Sequence, residues 1–105
     1  MELMITPRAI EKINDLSSEQ PSILLWYDTE GCGCGVNGVP TFRIINDSLS
    51  TYKRISSNLL PVFVPEQHAV FFGKYMKLDF SAETFRLVSN EGILNPFISP
   101  ANVVS

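Results

Sequence analysis

The chain has 105 residues, 45% of them hydrophobic, and its eight Lys and Arg against eleven Asp and Glu give a net charge of −3. This length predicts a single domain over residues 1–105 that buries roughly 65% of the surface of its unfolded form. The negative charge and the scattered basic residues argue against nucleic acid and against an anionic membrane as partners.

Localisation is predicted from the N-terminus and from the cysteines. Glu2 stands where a signal peptide needs a basic region, and no apolar run approaches the roughly 20 residues that span a bilayer. The only two cysteines, Cys32 and Cys34, are one residue apart, so they cannot join distant parts of the chain as secreted disulfides do. We therefore expect a cytoplasmic protein whose cysteines are thiols or metal ligands.

The first half of the chain predicts a helix followed by two strands. Residues 6–17 begin with Thr6 as a helix N-cap and Pro7 at the first helical position, and apolar residues recur on one face. The continuous apolar run 23–27 is typical of a central strand buried on both faces. Residues 39–45 favour a third element, a strand in which Pro40 is tolerated only at its start or at a sheet edge.

The second half predicts a loop, a short strand, a short helix and a hairpin. Residues 46–58 show little periodicity and are interpreted as a loop, whereas residues 62–64 form a short strand. Residues 65–72 fit a two-turn helix that starts at Pro65 and stops at Gly73. Residues 76–80 and 84–88 alternate as an antiparallel hairpin. This order predicts an α+β fold with mainly antiparallel sheets, an N-terminal helix and a short second helix.

The candidate site is the glycine-rich segment 31–38, which contains four of the six glycines and both cysteines. Glycines allow positive φ and a close backbone approach, so we expect Gly33 or Gly35 to adopt a left-handed conformation in a turn that receives negative sulfur. Thiolates at Cys32 and Cys34 can span the edge of a tetrahedral metal site, about 3.8 Å for metal–sulfur bonds of about 2.3 Å.

The charges near the cysteines favour a bound cation over a reactive thiolate. Asp28 and Glu30 precede the cysteines, and no Lys or Arg follows until Arg43. A low-pKa cysteine usually has a cation or a helix N-terminus beside it, whereas a bound metal would itself offset the thiolates. Inert cysteines in a glycine-rich loop are the alternative. His68, the only histidine, is interpreted as a half-buried helical residue rather than a ligand.

These residues resemble the HesB/IscA-like iron–sulfur biosynthesis family. The segment from Tyr27 to Gly35 and the strand 39–45 are similar to that family's first cysteine loop, and the likeness continues through the short helix and the hairpin. Cys32 matches the first cysteine ligand, and Cys34 stands where many members have Ser. The family's C-terminal Cys-Gly-Cys is absent, since residues 90–96 read Asn-Glu-Gly-Ile-Leu-Asn-Pro.

The resemblance implies a non-enzymatic A-type carrier or scaffold that binds iron or an iron–sulfur cluster through Cys32 and Cys34. Assembly proteins or recipient proteins are the expected partners. Two thiolates per chain are half of the usual four, so a homodimer is expected when the cluster is bound, with Asp28 or Glu30 as alternative extra ligands.

Two other functions stay open at this point. One is a thiol–disulfide switch, although cysteines at i and i+2 lie up to about 7 Å apart, which would strain the bond. The other is a metal-free interaction module of the same fold.

Overall fold

The computed structural model describes residues 1–17, 21–28, 39–45 and 52–103. Within these ranges, strands predominate over helices. The strands are β1 Glu2–Ile5, β2 Ser22–Asp28, β3 Val39–Ile45, β4 Lys53–Ser57, β5 Val62–Val64, β6 Tyr75–Ser81, β7 Thr84–Ser89 and β8 Gly92–Ile98. The helices are α1 Pro7–Leu16, a 3₁₀ helix Glu66–Phe71 and α2 Pro100–Val103.

All eight described strands belong to one mixed sheet, in the order β3-β2-β5-β4-β1-β6-β7-β8. Pairs β2–β3, β4–β5, β6–β7 and β7–β8 are antiparallel, in agreement with the expected mainly antiparallel arrangement. The pairs β1–β4, β1–β6 and β2–β5 are parallel. The two edge strands also approach each other, and the sheet is nearly closed and barrel-like. The α+β expectation is therefore correct only in outline, because strands dominate.

Helix α1 forms as its sequence predicts. The Thr6 hydroxyl accepts a hydrogen bond from the Ala9 N–H at 3.2 Å and so satisfies one of the free donors of the first turn. The same hydroxyl donates to Asp79 on β6 at 2.7 Å. Ala9 and Ile13 are fully buried, so the helix presents its apolar stripe to the core and its cap to the sheet.

The core lies on the inner face of the curved sheet. Its largest fully buried side chains come from α1 and from most of the strands: Phe42, Phe85, Leu3, Ile5, Ile13, Ile23, Leu25, Leu78 and Leu87. The rings of Phe42 on β3 and Phe85 on β7 meet edge to face, with centroids 5.0 Å apart. Strands near opposite ends of the sheet order thus share one core.

Three strands depart from the sequence-based expectation. Residues 53–57 form β4 and not a loop, because β5 and β1 pair with its backbone. Ile55 is its one buried residue and the others are polar, so no strand pattern is visible in the sequence. Strands β1 and β8 were not predicted. β1 is only four residues long, and β8 contains Pro96, which is tolerated because β8 is an edge strand. Residues 46–51 of the expected loop lie outside the described residues.

The second helix is also different from the prediction. It is a 3₁₀ helix that begins after Pro65, and the His68 N–H donates to the Pro65 carbonyl at 2.9 Å. Its six residues are shorter than the predicted two-turn α-helix, and this three-residue spacing is typical of short connecting helices.

Candidate functional site

Residues 29–38, which we call the cysteine segment, connect strands β2 and β3, and these two paired strands with their connection are the cysteine hairpin. Seven consecutive residue pairs connect these strands, from Ser22 opposite Ile45 to Asp28 opposite Val39. Cys32 and Cys34, together with Glu30, Gly33 and Gly35, lie outside the described residues, so the predictions made for them remain predictions. What the structure describes is the paired stem, residues 22–28 and 39–45, from which this segment leaves.

His68 contacts the outer edge of this stem. The Tyr27 N–H donates to His68 Nδ1 at 3.1 Å. Strand β5 pairs with β2 at Ile23 and Leu24 only, so within the described sheet it ends before Tyr27. The imidazole therefore supplies the acceptor that a neighbouring strand would otherwise provide.

The His68 ring also lies in an aromatic cluster at the end of β2. Its centroid is 4.5 Å from Trp26 and 6.5 Å from Tyr27, both edge to face. The Tyr27 ring stacks on Phe71 at 3.6 Å, and the Arg43 guanidinium lies 5.7 Å from the Trp26 centroid. The 3₁₀ helix is thus packed against the last residues of β2 before the cysteine segment.

The hydrogen bond to Nδ1 limits what His68 can ligate. A neutral imidazole that accepts at Nδ1 carries its proton on Nε2, so Nε2 is a donor in this arrangement. A metal-binding histidine normally has the opposite pattern, with its second nitrogen donating to a carboxylate or carbonyl. The geometry therefore supports the interpretation of His68 as a half-buried packing residue.

Asn95 contacts the other outer edge of the stem. Its Nδ2 donates to the Pro40 carbonyl at 2.8 Å, and its Oδ1 accepts from the Phe97 N–H at 3.2 Å. The side chain is buried, which is unusual for asparagine outside a satisfied polar site. Sequence reasoning missed Asn95, because the only available signal was a polar residue followed by Pro96 in a segment with no assigned element.

A cleft of about 390 Å³ adjoins the stem on its outer face. The cleft is lined by Val39 and Arg43 on β3 and by Phe97 on β8. Phe97 is 76% exposed and Val39 is 44% exposed, so two exposed apolar residues lie beside the end of the hairpin.

Neither a metal-binding cluster nor a membrane-spanning helix is found among the described residues. The part of the chain that the structure describes contains no group of three or more His, Cys, Asp or Glu able to hold a metal ion. Cys32 and Cys34 lie outside that part of the chain, so this finding does not bear on them. Within the same ranges, no helix is sufficiently long and apolar to cross a bilayer.

The family model for iron–sulphur cluster biosynthesis matches residues 1–99, and the chain belongs to this family. Among curated proteins, it is 30% identical over 103 residues to the protein YqkB of Bacillus subtilis (strain 168), itself described as uncharacterized. That match covers 94% of this chain and 96% of the relative. The resemblance read from the cysteine loop is thereby confirmed.

Solved structures share the fold. A candidate Fe-S biosynthesis protein from Lactobacillus acidophilus superposes with a TM-score of 0.76 at 16% identity, covering 98% of this chain and 93% of that one. SufA of Escherichia coli, involved in biosynthesis of iron–sulfur clusters, superposes with a TM-score of 0.58 at 18% identity, covering 88% and 91%. At these identities the likeness establishes a common fold.

Proposed function

We propose that this protein is a non-enzymatic carrier or scaffold of iron–sulfur cluster assembly that binds its cargo, iron or a cluster, through Cys32 and Cys34. The observation that carries the proposal is the family match over residues 1–99, which includes both cysteines. Family membership supports a role in cluster assembly, and the thiol pair is the sulfur donor set that this sequence offers.

The stem supports a site in the segment between its strands. The pairing of Asp28 with Val39 fixes both ends of residues 29–38 on adjacent strands. Both cysteines therefore lie in a connection of ten residues between two paired strands. Short segments on a rigid scaffold are where binding groups are commonly found. Two thiolates in such a segment can occupy two positions of a tetrahedral iron.

The number of thiolates per chain bears on the oligomeric state. Cysteine-ligated clusters commonly use four thiolates, and one chain has two. A two-fold dimer with facing cysteine segments would supply four, and the metal-free form would remain free to dissociate. The exposed Val39 and Phe97 beside the stem provide apolar surface for a second copy or for an assembly or recipient protein.

Cargo binding is tested by anaerobic purification with iron and sulfide analysis. Replacing both cysteines, Cys32→Ser with Cys34→Ser, should abolish uptake and leave the denaturation midpoint nearly unchanged, because the core of the described residues forms without either cysteine. A sulfide-to-iron ratio near unity indicates a cluster. Undiminished iron in the double variant would contradict the proposed site.

The single variants and the oligomeric state sharpen the test. Cys32→Ser should reduce iron content more than Cys34→Ser, since Cys32 matches the family position. In sedimentation of the reconstituted protein, the cluster absorbance should move with a dimer and should be lost with it on dilution. A chromophore that sediments with a monomer would contradict the shared cluster. A protein that binds no iron but forms a Cys32–Cys34 disulfide would instead be a redox switch.

A further inference from the structure

The stem of the cysteine hairpin is held from both outer edges at a single residue pair. Tyr27 on β2 is the register partner of Pro40 on β3, one pair before the strands end. The Tyr27 N–H is bonded to His68 and the Pro40 carbonyl to Asn95. Both backbone groups therefore point away from the hairpin, as they do at a non-hydrogen-bonded pair of an antiparallel ladder.

These two contacts come from remote and unrelated elements. His68 is 41 positions from Tyr27 and lies on the 3₁₀ helix, whereas Asn95 is 55 positions from Pro40 and lies on β8. Strand β5 has ended before Tyr27, and β8 pairs with β7 on its other side. Side chains thus replace strand pairing on both sides of the stem, at the position nearest to the cysteine segment where bonds from outside are described.

We propose that His68 and Asn95 are positioning residues for cargo binding: they hold the Tyr27–Pro40 pair in register and so preorganise the segment that carries Cys32 and Cys34. The inference rests on the proposed function of those cysteines. Neither residue touches the cargo. Each acts through the backbone of the stem, because a frayed Tyr27–Pro40 pair would leave the two ends of residues 29–38 free to separate.

Two alternative roles are less consistent with this geometry. A ligand role for His68 would need the Nε2 lone pair, and the bond from Tyr27 leaves the proton there. A purely local role for Asn95 would need only the bond from Phe97, two residues away, and would leave the 2.8 Å bond to Pro40 without a purpose. The opposed bonds at one register pair favour a joint action on the hairpin.

The test uses variants of the full chain and Co²⁺ as the probe under anaerobic conditions, read from its thiolate charge-transfer absorbance. His68→Leu removes the acceptor and keeps bulk. His68→Asn places an amide oxygen close to the position of Nδ1 and can restore the bond. Asn95→Asp removes the Nδ2 donor while keeping an oxygen that accepts from Phe97. Loss of one such hydrogen bond should weaken Co²⁺ binding about two- to tenfold.

Asn58 provides a matched control. Its Oδ1 accepts from the Ile5 N–H at 2.8 Å and its Nδ2 donates to the Ile5 carbonyl at 3.1 Å, so it also bonds a strand edge. That edge belongs to β1, three strands from β2 in the sheet. Asn58→Asp should lower the denaturation midpoint as Asn95→Asp does, but it should leave the Co²⁺ affinity of the folded protein unchanged.

The positioning role requires weaker Co²⁺ binding in His68→Leu and Asn95→Asp, recovery in His68→Asn, and faster amide exchange across residues 29–38 in the two weakened variants. Wild-type affinity in both, or equal weakening by Asn58→Asp, would overturn it while the proposed function stands. A wild-type protein whose cysteines take up no Co²⁺ and no iron would overturn the proposed function and the positioning role with it.

Discussion

The protein contains two hairpins that are closed in opposite ways. Strands β6 and β7 are joined by Ala82 and Glu83 alone, and both residues have positive φ, 52° and 64°. Strands β2 and β3 are joined by the ten residues 29–38, which include four glycines and both cysteines. The first connection is minimal, and the second is longer than pairing requires.

The difference shows where the molecule has room for chemistry. A two-residue turn with positive φ at both positions is type I′, whose twist matches that of the strands and sets their register locally. A ten-residue connection costs only modestly more chain entropy, but it does not set register by itself. The β2–β3 hairpin instead relies on seven residue pairs and on the bonds from His68 and Asn95.

The largest expected effect tests whether the two hairpins share one core. Phe42 on the cysteine hairpin and Phe85 on the tight hairpin are both fully buried and meet edge to face. Phe42→Ala and Phe85→Ala should each lower the free energy of unfolding by about 3–5 kcal/mol. The double variant should reveal a coupling of about 1 kcal/mol in urea denaturation. Additive losses would mean that the hairpins are energetically independent.

The next effect concerns Gly73, which connects the 3₁₀ helix that carries His68 to β6. A Cβ on Gly73 would lie 2.7 Å from the Cβ of Ser89 on β7, so glycine is needed there for close approach. Gly73→Ala should lower the free energy of unfolding by about 1–3 kcal/mol. Adding Ser89→Gly removes the opposing Cβ and should recover part of this loss. If it recovers nothing, crowding is not the cause.

A smaller and opposite effect is expected at the turn of the tight hairpin. Ala82 and Glu83 both occupy the left-handed region, which disfavours residues with a Cβ. Changing the pair to Asn-Gly, the preferred type I′ dipeptide, should raise the free energy of unfolding by about 1–2 kcal/mol. Glu83→Gln removes the charge without relieving the backbone and should be neutral. If the melting temperature of the Asn-Gly variant is not higher than that of the wild type, the type I′ turn assignment is contradicted.

The smallest expected effect is a pH dependence of the free energy of unfolding, caused by Asp79 on β6. The Thr6 hydroxyl, and to a lesser degree the Phe80 N–H and the Arg8 and Lys77 charges, lower the pKa of Asp79 below its ordinary value of 3.8, against an opposing effect of burial. Because the folded pKa is the lower one, the stabilisation is complete above about pH 5, where the unfolded carboxyl is also ionised. It is lost as pH falls through the folded pKa.

Asp79→Asn should therefore cost about 1 kcal/mol at neutral pH and little in strong acid. The ion pair with Arg8 adds little, because the Arg8 side chain is 67% exposed. Urea midpoints measured between pH 2 and pH 7 test this, with Glu83→Gln as a carboxylate control. Parallel curves for wild type and Asp79→Asn would contradict the assignment.

Local signals in the chain were sufficient for several elements. The Thr6-Pro7 start with its apolar stripe predicted α1, and the continuous run from Ile23 predicted β2 in the interior of the sheet. Alternation predicted the β6–β7 hairpin. These elements were predictable because capping, periodicity and burial on both faces are encoded within a dozen residues.

Other elements depend on contacts between distant parts of the chain. Strand β1 lies between β4 and β6 and pairs in parallel with both, so its partners come from residues 56–57 and 75–78. Strand β4 has one buried apolar residue, Ile55, and is a strand because β5 and β1 bond its backbone. Parallel strands are joined by long connections, so a short stretch of sequence does not show which strands pair.

The candidate site was likewise predictable from the sequence only in part. The sequence by itself identified the cysteine pair and its family, because thiol chemistry and glycine spacing are local properties of residues 31–38. Only the tertiary structure decided that His68 and Asn95 meet opposite edges of the Tyr27–Pro40 pair. Each bond joins a side chain to a backbone group more than 40 positions away. At such separations the sequence does not indicate which residues are close in space.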